Sequence, residues 1–133
     1  MADAGNYQGE RLWNAAVAAF DGLDGFHVVE PRLDAWRGAG VTVTSETVSI
    51  IVEADWVECE LAVWVQVAGA PPVPVEKLVP ELRGLRRLPR GATRGVLRSR
   101  LEQIVRAVQE RAPEVLDGGE PALARFRDGD SES

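Results

Sequence analysis

From Trp56 to Val67 the chain alternates without a break. Val57, Cys59, Leu61, Val63, Val65 and Val67 fall on one side of an extended backbone, and Trp56, Glu58, Glu60, Ala62, Trp64 and Gln66 on the other. Successive side chains of a strand point to opposite faces, so the segment reads as a strand with one apolar and one mostly polar face. Such a strand cannot bury its apolar side alone. It needs neighbours with the same pattern and a second layer to cover them. Residues 47–54 repeat the pattern, with Val48, Ile50, Val52 and Ala54 on one side and Thr47, Ser49, Ile51 and Glu53 on the other. Val41–Thr44 alternates apolar residues with Thr, and Phe26–Glu30 supplies a fourth candidate that Pro31 is expected to stop.

The registers are mutually consistent. A tight turn around Asp55 and Trp56 pairs Val52 with Cys59 and Ile50 with Leu61. A loop over 44–47 pairs Val43 with Val48 and Val41 with Ile50. Every apolar set then lands on one face, as a one-sided antiparallel sheet requires. Residues 41–67 are therefore expected to form a three-stranded meander, with 26–30 as a fourth strand. In this register Glu53 lies opposite Glu58.

Helical spacing flanks the meander. Leu12, Ala16, Ala19 and Leu23, widened by Trp13, Val17 and Phe20, make a stripe over 8–24 that Gly22 and Gly25 end. Leu97, Leu101, Ile104, Val105 and Val108 make the strongest stripe, over 92–112. Pro71, Pro72 and Pro74 impose an extended path on 68–74. Residues 75–82 read as a short helix and 84–91 as an Arg-rich loop. Pro113 starts a last turn to Leu116, Gly118 and Gly119 stop it, and Pro121 opens a terminal helix over 121–127 that buries Leu123 and Phe126. The order predicts an α+β fold: an N-terminal helix, an antiparallel meander of three to four strands, and C-terminal helices packed on one sheet face. The 133 residues suit a single domain, with 128–133 as a frayed polar tail.

Charge narrows the function classes. The net charge is −6, which disfavours nucleic acid as the partner. The basic residues are 14 Arg and one Lys, which together with abundant Ala, Val and Gly suggests a GC-rich bacterial genome. Residues 1–82 carry a balance of −9, residues 83–112 one of +7, and residues 113–133 one of −4. No stretch has the length and apolarity of a membrane span, and the N-terminus has neither the basic nor the apolar part of a signal peptide. Cys59 is the single cysteine, so the expected location is a reducing cytoplasm.

Chemistry-bearing combinations are sparse. One histidine, His27, and one cysteine cannot build a closed zinc site. The predicted register puts His27 outside and Cys59 inside, which separates a thiolate from its base. There is no Gly-x-Ser-x-Gly elbow, dinucleotide fingerprint or Walker A sequence. No cofactor is implied, and the reading is non-enzymatic. Glu53, Asp55, Glu58 and Glu60 cluster around one hairpin, and Trp56 and Trp64 share their polar set. Tryptophan beside carboxylates on an uncovered sheet suits a protein-binding surface for a basic partner. The alternatives are a solvated face that keeps the sheet soluble, with the loop 68–74 or the terminal helix covering both tryptophan rings, and a carboxylate-dependent hydrolase that uses the same acids. Arg83, Arg86, Arg87, Arg90, Arg94, Arg98 and Arg100 form a basic run without interleaved aromatics, unlike a single-strand nucleic-acid platform.

The strands of 41–67, the run Pro-Val-Pro-Val-Glu-Lys-Leu-Val at 72–79, the helix ending Gln-Glu-Arg-Ala-Pro-Glu-Val-Leu at 109–116 and the closing Pro-Ala-Leu-Ala-Arg-Phe at 121–126 are arranged in a layout that resembles small α+β bacterial immunity proteins of polymorphic-toxin and contact-inhibition systems. The resemblance lies in architecture and carries over no residue roles. It implies an inhibitor that binds one cognate toxin, a basic nuclease domain being suited to an acidic surface. The order helix, strands, helix also resembles secretion chaperones, which implies a homodimer holding an effector segment. That group has further strands after its middle helix, and none is legible here.

Overall fold

A computed structural model of the chain describes residues 4–21, 23, 25–34, 38–67 and 70–117. It has the expected α+β architecture. Helix α1 (Ala4–Phe20) precedes strands β1 (His27–Asp34), β2 (Gly38–Thr44), β3 (Val48–Asp55), β4 (Glu60–Val67) and β5 (Val73–Pro74). Helix α2 (Val75–Leu78), a 3-10 turn over Pro80–Leu85, helix α3 (Arg94–Arg111) and helix α4 (Pro113–Asp117) follow. The sheet has five strands in the order β1-β2-β3-β4-β5, all neighbours antiparallel.

The apolar sets share one face, as the alternation demanded. Val41, Val43, Val48, Ile50, Val52, Ala54, Leu61, Val63, Val65 and Val67 are all buried. Helix α1 covers β1 and β2 and packs on α3. Its stripe residues Leu12, Ala15, Ala16, Ala19 and Phe20 are buried, as are Leu97, Leu101, Ile104 and Val108 of α3. Ile104, Val105 and Val108 meet Ile50, Val63 and Val65 around a small apolar space that Leu116 of α4 also lines. Thr93 caps α3, its hydroxyl oxygen accepting from the Val96 N–H at 3.2 Å. No polar or charged residue is buried among the described residues, so the core is held by apolar contact alone.

Both predicted registers slip. The β3–β4 turn takes the four residues Trp56–Cys59, so that Val52 pairs with Val63 and Ile50 with Val65. Asp55 causes this. Its Oδ1 accepts from the Val57 N–H at 3.0 Å and the Glu58 N–H at 2.9 Å, an Asx-type closure that bends the chain before a strand can start. Cys59 completes the turn at φ 55, in the left-handed region, and β4 begins only at Glu60. Cys59 is accordingly half-buried in the turn instead of an inward strand residue, and Val57, also placed inward by alternation, is exposed. On the β2–β3 side Val43 pairs with Ile50 and Val41 with Val52. Both slips are by an even number of residues, which leaves every remaining side chain on its expected face.

Other boundaries also move. The first helix runs over Ala4–Phe20, not 8–24. Strand β1 continues through Pro31 to Asp34, with a register irregularity between Val29 and Arg32. Proline is tolerated there because β1 is an edge strand. The proline-rich connection ends as β5, the fifth strand. The expected 75–82 helix splits at Val79 into α2 and the 3-10 turn, with Pro80 opening the second part. The Arg-rich stretch is not a free loop: the Leu61 N–H donates to the Arg86 carbonyl at 2.7 Å and the Leu88 N–H to the Cys59 carbonyl at 2.8 Å. The Gly118–Gly119 stop, the 121–127 helix with Leu123 and Phe126, and the 128–133 tail lie outside the described residues.

Candidate functional site

With the helices on one face, the opposite face of the sheet carries the polar set. The registers order it into rows across the strands. His27, Thr44, Ser49 and Gln66 form one row, and Val29, Thr42, Ile51, Trp64 and Pro74 the next. Arg32, Gly40, Glu53 and Ala62 share the third register row, and Asp34, Gly38, Asp55 and Glu60 the last. Among the residues with described side chains, the face grades from neutral polar residues, through an apolar band, to an acidic end beside the β3–β4 turn.

The acidic end is concave. A cleft of roughly 330 Å³ is lined by Gly38, Gly40, Glu53, Asp55, Glu60, Ala62, Trp64 and Arg86, together with Ala39 and Ala54. Its depth comes from missing side chains. Gly38, Gly40 and Ala62 put at most a methyl group where Trp64, Glu53 and Glu60 project around them. At Gly38 the strands approach so closely that a Cβ would run into the Ala54 carbonyl oxygen.

Arg86 forms one wall. Its Nη1 donates to Glu76 Oε1 at 2.7 Å, and its Nη2 lies 4.0 Å from Glu60 Oε2. Glu76 is largely shielded, its side chain 11% exposed against 47% for Glu60. The guanidinium is thus anchored to the more shielded carboxylate and touches the exposed one only loosely. Glu53 and Asp55 also hold contacts within the chain.

The expected site residues divide. Glu53, Asp55, Glu60 and Trp64 come together around the cleft. Glu58 does not: it sits exposed in the turn, and Glu53 faces Ala62 instead of Glu58. The opposed acidic pair is Asp55 with Glu60. Trp56 leaves the polar set as well, for in the turn it is half-buried against the apolar core. Trp64 stays on the outer face, half-buried beside Ile51 and Pro74. His27 is exposed on the outer face, as expected.

Sequence reasoning missed Gly38, Gly40 and Arg86 as site residues. The glycines share parity with Thr42 and Thr44, a signal of bare positions on the outer face. Arg86 carries no such signal, since six other arginines lie within the same run, 83–100.

Among the described residues no group of three or more His, Cys, Asp or Glu is placed to hold a metal ion, and no helix is long and apolar enough to cross a membrane. Comparison of the chain with protein-family models, curated proteins and solved structures finds no match.

Proposed function

We propose that this chain is a non-enzymatic protein-binding module, an immunity-type inhibitor that neutralises a cognate toxin with a basic surface. One observation carries the reading: the described helices pack on one face of the sheet, and the opposite face presents a cleft with Glu53, Asp55 and Glu60 beside the half-buried Trp64. An aromatic anchor next to carboxylates is the composition of an interface centre, where the ring supplies contact area and the charges supply orientation and capture rate. The exposed Val57 and Glu58 of the adjoining turn extend the same surface. A basic nuclease domain fits this face, because a site that attracts phosphates also attracts carboxylates. The protein acts in the cytoplasm on this reading, and its partner is a protein instead of nucleic acid or membrane.

The test is affinity capture of the tagged chain from its native host at low salt, with salt-step elution and mass spectrometry. A stoichiometric basic protein should be retained by the wild-type chain. The double variant Glu58→Lys with Glu60→Lys should weaken that complex by about tenfold or more, chiefly through slower association at low salt. Equal affinity in the double variant removes the acidic face from the interface. A captured secreted effector, with a homodimeric chain in solution, would replace inhibition by chaperoning.

A further inference from the structure

We infer that the outer-face cleft is a socket for a guanidinium group, so that the partner is recognised by an arginine side chain laid against Trp64. The inference rests on the binding role proposed above and names the chemistry of its central contact.

Shape, charge and spacing point the same way. The cleft, at roughly 330 Å³, lies near the lower end of the range of sites that enclose a small organic group. Its carboxylates stand on different strands and different rows: Glu53 with Gly40 and Ala62, Asp55 and Glu60 with Gly38. They are not gathered tightly enough to surround a metal ion. A dispersed set of acceptors around a bare floor suits a broad, planar cation that donates in several directions, as guanidinium does with its five N–H groups. Trp64 gives that cation an aromatic surface, the preferred partner for cation–π contact. A lysine ammonium is compact and strongly hydrated and lacks the flat surface that would stack on the indole.

The socket does not require idle carboxylates. Asp55 Oδ1 is engaged by the turn N–H groups, and both Glu53 and Asp55 have contacts within the chain. An ionised carboxylate has about four lone-pair directions, so each retains acceptor capacity and contributes its field. Glu60, exposed and only 4.0 Å-distant from Arg86, is the most available acceptor. Arg86 already shows a guanidinium held at this rim. Its closest contact is with Glu76, and among the residues with described side chains Glu53, Asp55 and Glu60 line the cleft with Arg86.

The experiment uses the full chain and three small probes at constant ionic strength: N-acetyl-arginine methylamide, the lysine analogue and the neutral isostere N-acetyl-citrulline methylamide. The readout is the indole N–H resonance of Trp64, assigned with Trp64→Phe. The arginine probe should move it saturably, with apparent affinity about fivefold or more above either control, a ratio in keeping with a partly desolvated cation–π contact. Ala62→Leu, which fills the floor without altering charge, should reduce that affinity about fivefold or more. Equal response to arginine and citrulline, or to arginine and lysine, overturns the socket in the wild-type chain, whatever the variant does.

The partner complex separates this inference from the reading it rests on. If Ala62→Leu keeps full partner affinity while Glu58→Lys with Glu60→Lys loses it, the face is the interface and the socket is wrong. If the arginine probe binds at Trp64 but the chain captures no protein, the socket stands and the inhibitor reading falls.

Discussion

At the residue scale, Asp55 and Gly38 decide more than their size suggests. Asp55 closes the β3–β4 turn with two N–H acceptances and stands in the acidic row opposite Glu60. Gly38 sits where β2 meets the end of β3, and only the absence of a Cβ lets the backbone lie against the Ala54 carbonyl. Gly38→Ala should therefore force the strands apart and destabilise the chain by about 1–3 kcal/mol, the scale of overpacking in a well-ordered site. Urea unfolding followed by circular dichroism checks this, and an unchanged midpoint shows that β2 can retreat freely. Asp55 also shows where sequence reading stopped. Alternation ran unbroken from Trp56, and nothing in the apolar pattern betrays that a carboxylate will capture two N–H groups and turn the first four residues out of the strand. The same local capture removed Glu58 and Trp56 from the expected site.

At the scale of elements, caps and edges explain what periodicity does not. Helix α3 starts after Thr93, whose hydroxyl satisfies one of the otherwise unpaired N–H groups of the first turn. Thr93→Ala should lower stability by about 1 kcal/mol, and Thr93→Ser should recover most of it, as read by thermal or denaturant unfolding. Equal loss in both variants would assign the effect to packing of the Thr methyl group. Strand β4 is protected along its outer edge in two pieces, by Val73–Pro74 at one end and by residues 86–88 at the other. The second of these pairings joins segments well separated in the chain. The arginines of 83–100 read as one basic run, yet the fold gives them different tasks. Arg86 anchors Glu76, and Arg98 pairs with Glu102 one helical turn on at 2.7 Å. Arg100 donates to the carbonyls of Leu85 and Arg87 at 3.2 and 2.9 Å, holding the connection that pairs with β4.

At the scale of the whole molecule, one sheet face carries the apolar core and the other carries the cleft. The inner face and the stripes of α1 and α3 form one continuous apolar core, from Leu12 and Phe20 to Leu97, Leu101 and Val108. Leu101 is fully buried, so Leu101→Ala should destabilise the fold by about 2–5 kcal/mol through lost burial and the cavity left behind. Calorimetry should show that loss. The arginine-probe response, corrected for the folded fraction, should be unchanged, since Leu101 lies on the side away from the cleft. A loss of probe affinity in the folded fraction would show that the two faces are coupled.

The alternation of 47–67 and the helical stripes on either side determined, without further help, the α+β class, the antiparallel meander, the inward-facing strand residues apart from Val57 and Cys59, and an outer face carrying Glu53, Glu60 and Trp64. These follow from periods of 2 and 3.6, which are properties of neighbouring residues. The pairing register, the fifth strand, the separation of Glu58 from Glu53 and the meeting of Gly38, Trp64 and Arg86 around one cleft were decided only by the tertiary structure. The β3–β4 register and the displacement of Glu58 depend on the side-chain capture by Asp55, which periodicity does not report, and the others on close approaches between segments separated in the chain. Parity constrains such pairings only to within an even shift, so the faces were legible in the sequence and the cleft was not.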